Sequence, residues 1–217
     1  MIRDKELSSV SLVVTFDRDD PSFKAPAMNA QLLESAFDAT LQMQQVLTER
    51  GPGMALGIPK HRLQILLLPN SIEITSQEDT LEALVTERIA GDLCTVTNLF
   101  PQGIWRLIGY NFSYMLDSSE RAIAVIGNRV LNVPELSGKL GYGLLGGAVG
   151  LWMDVDKSVL WLRVEPRGGD RQTNRILVYA NFTDEIAGQL PSKDTMGENI
   201  TKRHAILEQL LSRLSLW

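Results

Sequence analysis

The sequence is poor in the side chains from which most enzymes build their chemistry. In 217 residues there is one cysteine, Cys94, and two histidines, His61 and His204. A single cysteine excludes a disulfide framework within the chain and any multi-cysteine zinc site. Excess positive charge is also missing: 21 Lys and Arg stand against 26 Asp and Glu, a formal net charge of −5. That balance removes the broad cationic field that non-specific nucleic-acid binding needs, although a local basic face remains open. No apolar run has membrane-spanning length, because the longest weakly polar stretch, Leu140 to Met153, carries five glycines. The opening residues Met1-Ile2-Arg3-Asp4-Lys5-Glu6 are of mixed charge and lack a signal-like apolar run behind them. The expectation is a soluble cytoplasmic protein with no membrane association.

What is present is ordinary globular material, 44% hydrophobic and 22% charged. A chain of this length buries about 70% of its unfolded surface, so it needs no staple. Val10 to Phe16 is rich in β-branched residues and runs into Asp-Arg-Asp-Asp-Pro, as a strand does at a turn. Asn29 can cap a helix running to Arg50, with Leu33, Ala36, Phe37, Leu41 and Leu47 at helical spacing and Gly51-Pro52-Gly53 as its stop. Leu63–Leu68 and Ile72–Thr75 flank Pro69-Asn70-Ser71 as a hairpin. A second helix spans Thr80 to Thr97, with Cys94 on it as a core thiol.

Pro101-Gln102-Gly103 breaks the chain and the pattern restarts. Ile104 to Met115 alternates like a long strand, and Asp117 with Glu120 fits a capping box for a helix carrying Ile123, Ile126 and Val130. Asn132 to Gly143 reads as loop because of Pro134 and its glycines. Strands are expected over Leu145–Val155, Val159–Glu165 and Arg175–Phe182, then a capping box at Thr195 and Glu198 opens a last helix to Leu216. The fold class is therefore α+β, with antiparallel sheet covered by helices. Two halves of similar order result, β-α-β-β-α over 1–100 and β-α-β-β-β-α over 101–217. They suggest a pseudo-duplication and leave open whether they form one continuous domain.

Four patterns touch on chemistry. Gly141-Tyr142-Gly143-Leu144-Leu145-Gly146 fits G-x-G-x-x-G, but a dinucleotide site needs a strand before it and a helix after it, and neither is expected here. Asp154 and Asp156 lie two apart on a strand, the spacing that holds a divalent cation between carboxylates in phosphoryl transfer. The competing reading puts Asp156-Lys157-Ser158 in the turn between strands. Asp17, Asp19 and Asp20 could add carboxylates but also suit a turn. Arg163, Arg167, Arg171 and Arg175 cluster near Trp152 and Trp161, the mix of base-stacking rings and cations that grips single strands, though Asp154, Asp156, Glu165 and Asp170 offset it. Neither histidine accompanies a nucleophile elbow or a zinc-binding helix motif, and Lys202 and Arg203 oppose protonation of His204.

The last helix carries the interaction signal. Ile200, Leu207 and Leu214 recur at seven-residue spacing, Leu210 and Trp217 repeat it on the adjoining position, and Ile206 and Leu211 widen the stripe. Such a seam packs on the helix's own sheet or on a partner. The leading expectation is a non-enzymatic protein-binding subunit or adaptor, assembling with itself or with another protein through Ile200, Leu207, Leu210, Leu214 and Trp217. One alternative is a metal-dependent nucleotide or phosphoryl-transfer enzyme using Asp154 and Asp156, and a second is a nucleic-acid-binding module. The leading reading assigns no catalytic residue, no metal and no cofactor.

Overall fold

The computed structural model describes residues 2–16, 26–48, 51–59, 62–76, 81, 83–99, 104–140 and 147–216. Its elements run β1 (Ile2–Phe16), α1 (Pro26–Phe37), β2 (Gln42–Thr48), β3 (Gly51–Ile58), β4 (Leu63–Leu68), β5 (Ser71–Ser76), α2 (Ala83–Asn98), β6 (Trp105–Ser118), α3 (Ala122–Arg129), α4 (Val133–Leu140), β7 (Val149–Val155), β8 (Ser158–Pro166), β9 (Arg175–Gly188) and α5 (Lys193–Arg213). The architecture is mixed α and β. Nine strands are hydrogen-bonded in the order β2-β3-β4-β5-β1-β6-β9-β8-β7. Pairs β2–β3, β3–β4, β4–β5, β1–β5 and β7–β8 are antiparallel. No described helix is long and apolar enough to cross a membrane.

The chain divides into two compact units that each draw on both sides of residue 101. One takes residues 9–111 and 183–201, the other 1–8, 112–182 and 202–217.

In the first of these, β1 buries Val10 to Val14 without a break and then Phe16, as a strand covered on both faces does. Ile72 and Ile74 of β5, Ile65 and Leu67 of β4, and Leu56 and Ile58 of β3 are likewise buried. Helix α2 packs against β5, with Ile89, Leu93 and Val96 at i, i+4 and i+7 all fully buried. Phe16 meets Trp105 edge to face at 5.6 Å between ring centroids. On β1, the buried hydroxyl of Ser11 donates to Glu73 at 3.1 Å and accepts from Asn111 Nδ2 at 3.0 Å, so these three side chains satisfy one another. Cys94 is half-buried on α2. Burial raises its thiol pKa, with Lys193 pulling the other way.

Several expected elements are corrected here. The helix expected from Asn29 to Arg50 ends at Phe37, where Asp38 takes φ +46°, and β2 takes the place of its later part. A spacing of four satisfies a helix and a strand alike, so Met43 and Leu47 sit on one face of β2 just as they would on a helix. Gly51 takes φ +112° opposite Thr48 in the β2–β3 hairpin and so opens a strand rather than stopping a helix. The first half is therefore β-α-β-β-β-β-α.

The second half is β-α-α-β-β-β-α, because α4 occupies most of the expected loop. Asn132 takes φ +48° and bonds Glu135 at 2.8 Å, Glu135 pairs with Lys139 at 2.7 Å, and Pro134 stands in the first turn, where its missing N–H costs nothing. Asp117 does not cap α3: β6 runs through Ser118, and the residue before α3, Arg121, makes no side-chain cap bond. The cap of α5 lies at Ser192, three residues before the expected Thr195. Ser192 Oγ accepts from the Thr195 N–H at 3.2 Å and its carbonyl from Met196 at 2.9 Å.

Candidate functional site

The second unit contains β7, β8 and the first part of β9, and its strands are two-faced. On β8, Ser158, Leu160, Leu162, Val164 and Pro166 are buried, while Val159, Trp161, Arg163 and Glu165 alternate with them on a face open to solvent. Helix α3 packs against β8 and buries Ala122, Val125 and Ile126. Leu162 and Val178 therefore anchor the strands, and the alternate residues are free to serve a surface.

That open face carries a row of rings. The register places Trp152 of β7 directly opposite Trp161 of β8, so both indoles leave the same side of the sheet. They stack at 5.9 Å between centroids with 26° between planes. Trp161 in turn meets Tyr179 of β9 edge to face at 5.5 Å. Trp152 is 73% exposed although two rings support it. Gly150 lies beside the stack: a Cβ at that position would sit 3.6 Å from the indole nitrogen of Trp161, an ordinary packing distance.

The charges around the rings are matched. Arg163 pairs with Glu165 at 2.5 Å, and Arg175 with Asp117 at 2.9 Å. Arg167 and Arg171 lie in the exposed segment before β9, which includes one turn of 3₁₀ helix at Arg167–Gly169. The sequence brought the two tryptophans together as a base-stacking pair. What it missed was Tyr179, the support under the stack and the position of β7 at the end of the strand order.

Asp154 and Asp156 part company. Asp154 is an exposed residue of β7, opposite Val159. Asp156 and Lys157 form the two-residue turn to β8, with φ +49° and +71°, both positive as a type I′ turn requires. The carboxylate of Asp156 pairs with Lys202 at 2.9 Å, and that hydrogen bond and charge hold its pKa below the ordinary range. Among the described residues no three acidic, histidine or cysteine side chains converge as a metal cluster. Asp17, Asp19, Asp20, His61 and the glycines from 141 to 146 lie outside the described residues.

On α5 the stripe divides. Ile200, Leu207 and Leu211 are fully buried, while Leu210 and Leu214 are partly exposed; Trp217 lies outside the described residues. A second polar cluster holds the end of this helix. Tyr114 of β6 shares a hydrogen bond with Nε2 of His204 and stacks on its ring. Glu208 stands 4.0 Å from His204 and pairs with Lys5 of β1 at 3.0 Å. Burial, then the charge of Glu208, raises the phenol pKa of Tyr114, so it stays protonated as a donor. Burial first, and Lys5 weakly, lower the pKa of His204 against the pull of Glu208. The neighbours expected to act on it are occupied elsewhere: Lys202 pairs with Asp156, and the guanidinium of Arg203, 8% exposed, donates to Ser158 Oγ at 3.0 Å. This cluster reads as a latch holding α5 on β6 and β1.

Compared with known protein families and with curated proteins, the chain matches none.

Proposed function

We propose that this chain is a non-enzymatic protein-binding subunit that acts by assembly, with the open face of β7 and β8 as its docking surface. The observation that carries the reading is Trp152, 73% exposed at the middle of the strand that ends the sheet. A terminal strand offers a row of backbone donors and acceptors to another chain, and proteins commonly guard such rows with lysine, proline or a bulge. None of these stands in Val149-Gly150-Leu151-Trp152-Met153-Asp154-Val155. Tryptophan is favoured where binding energy concentrates, because a large ring already held in place loses little entropy on docking. Burying the exposed part of Trp152 would contribute about 3–4 kcal/mol at roughly 25 cal/mol per Å².

The same strip supports nucleic-acid binding less well. Its rings suit stacking, but Arg163 and Arg175 are already neutralised by carboxylates, and phosphate pairing would have to displace them. The phosphoryl-transfer reading has less support, since Lys202 engages Asp156 and Asp154 stands apart from it.

The test is a photo-reactive amino acid placed at position 152 of the full chain in cells, with a control at Arg171. A covalent adduct of discrete mass at 152 but not at 171 is expected. Absence of any protein adduct at 152 overturns the protein-binding reading.

A further inference from the structure

We propose that Glu208 changes partner with pH: it ties α5 to the start of β1 through Lys5 while His204 is neutral, and leaves Lys5 for His204 once the imidazole is protonated. All the residues involved belong to one compact unit, which takes residues 1–8, 112–182 and 202–217. His204 and Glu208 stand one turn apart on α5, the spacing at which helical side chains meet. The imidazole packs on two rings of β6, stacked on Tyr114 at 5.9 Å and tilted against Phe112 at 5.7 Å between centroids. The charged and titratable groups facing it come from three elements: Tyr114 from β6, Glu208 from its own helix and Lys5 from β1. Lys202 and Arg203 are turned to Asp156 and Ser158.

Hydrogen-bond arithmetic drives the exchange. Tyr114 has one hydroxyl proton and two acceptors within reach, Nε2 of His204 and the carboxylate of Glu208. A neutral imidazole can accept that proton at Nε2, which leaves the carboxylate to the Lys5 ammonium at 3.0 Å. An imidazolium donates from both ring nitrogens and accepts at neither. The phenol oxygen then accepts from Nε2, and its own proton can turn only to Glu208. Glu208 stands 4.0 Å from Nε2, so a short swing brings it to a new cation and a new donor together. The bond it gives up is a partly exposed ion pair, of the kind that contributes little in water. Burial holds the His204 pKa down, with Glu208 pulling it up and Lys5 pushing it down, so the exchange falls below the ordinary histidine range. Leu207 and Leu211 stay fully buried throughout, so α5 keeps its seat and only its tie to β1 changes.

A nuclear magnetic resonance titration of the full chain tests this, following the His204 ring and the Lys5 side-chain nitrogen together. His204→Gln distinguishes the ring signal from that of His61, the only other histidine. In wild type both signals should move with one shared midpoint, and His204→Gln should abolish the inflection at Lys5. Lys5→Met should raise the proton affinity of His204 about two- to fivefold, and Glu208→Gln should lower it by a similar factor. In the Glu208→Gln background Lys5→Met should move His204 much less, because the competition for the carboxylate is gone. Simple additivity of the two changes would mean that Lys5 acts only as a distant charge, and overturns the exchange. A Lys5 signal that does not follow the His204 midpoint in wild type overturns it as well, and that titration decides the matter should a variant fail to fold.

Discussion

Strands β2 and β7 are both seven residues long and both end the hydrogen-bonding order, yet they guard that position differently. β2 reads Gln-Met-Gln-Gln-Val-Leu-Thr and carries no charge. Leu47 is 86% and Met43 57% exposed on it, and they oppose Pro52 and the buried Leu56 on β3. Nothing aromatic supports them among the described ring contacts. β7 exposes a ring that stacks on Trp161, which Tyr179 supports in turn. Exposure alone thus marks a strand that could associate. Exposure on a pre-ordered support marks a surface that can associate with a defined geometry, because the entropy of ordering has already been spent.

The two edges rest on equally firm foundations if the comparison is sound. Leu56 under β2 and Leu160 under β7 are both fully buried, and truncating either to alanine should cost about 2–5 kcal/mol in denaturant unfolding. A loss below about 1 kcal/mol at Leu56 alone would mean that β2 and β3 are loosely held, and the contrast would become one of packing rather than of surface.

The hairpin turns give the next largest effects, with opposite signs. Gly51→Ala forces a side chain into φ +112° and should destabilise by about 1–2 kcal/mol. Lys157→Gly removes a side chain from φ +71° and should stabilise by about 0.5–1 kcal/mol. Midpoint shifts at unchanged slope check both.

Leu47→Lys should be the near-silent change, within about 0.5 kcal/mol of wild type, while raising solubility if β2 is only an aggregation-prone edge.

The latch in the β7-bearing unit adds a pH dependence. His204 is depressed in the folded chain, so the unfolded chain takes up its proton first as pH falls. Its contribution is intact above the ordinary histidine pKa near 6.5 and is lost as pH falls from there through the lower folded value. Unfolding measured across pH 5–8 should show this slope, and His204→Gln should flatten it. An unchanged slope in that variant would remove the latch as its source.

How much of this was legible before folding varies along the chain. Trp152 and Trp161 could be placed on neighbouring strands from alternation, and the Asp156-Lys157 turn from residue type, because these are local backbone preferences. Helix α4 was not legible, since Pro134 and Gly138 read as breakers when the proline occupies a first turn. The capping boxes failed because several residues near a helix start can accept its first N–H groups: Thr195 and Glu198 match the pattern, yet Ser192 makes the bonds. The expected helix rests on Leu33, Ala36, Phe37, Leu41 and Leu47. Beyond Phe37 only Leu41 and Leu47 carry it, six apart, a separation that also puts two residues on one face of a strand.

By itself the sequence determined the composition of a mixed α and β protein, the strands β1, β6 and β8, and the helices α2 and α5, since each depends on residue types and spacing within a single segment. Only the tertiary structure decided that β2 and β7 end the strand order, that Ile200 and Leu207 are buried while Trp152 is exposed, and that Tyr179 and Gly150 complete the surface around it. The physical reason is that strand order and exposure arise from pairing residues distant in sequence, and a periodic pattern records which face is apolar but not what will cover it.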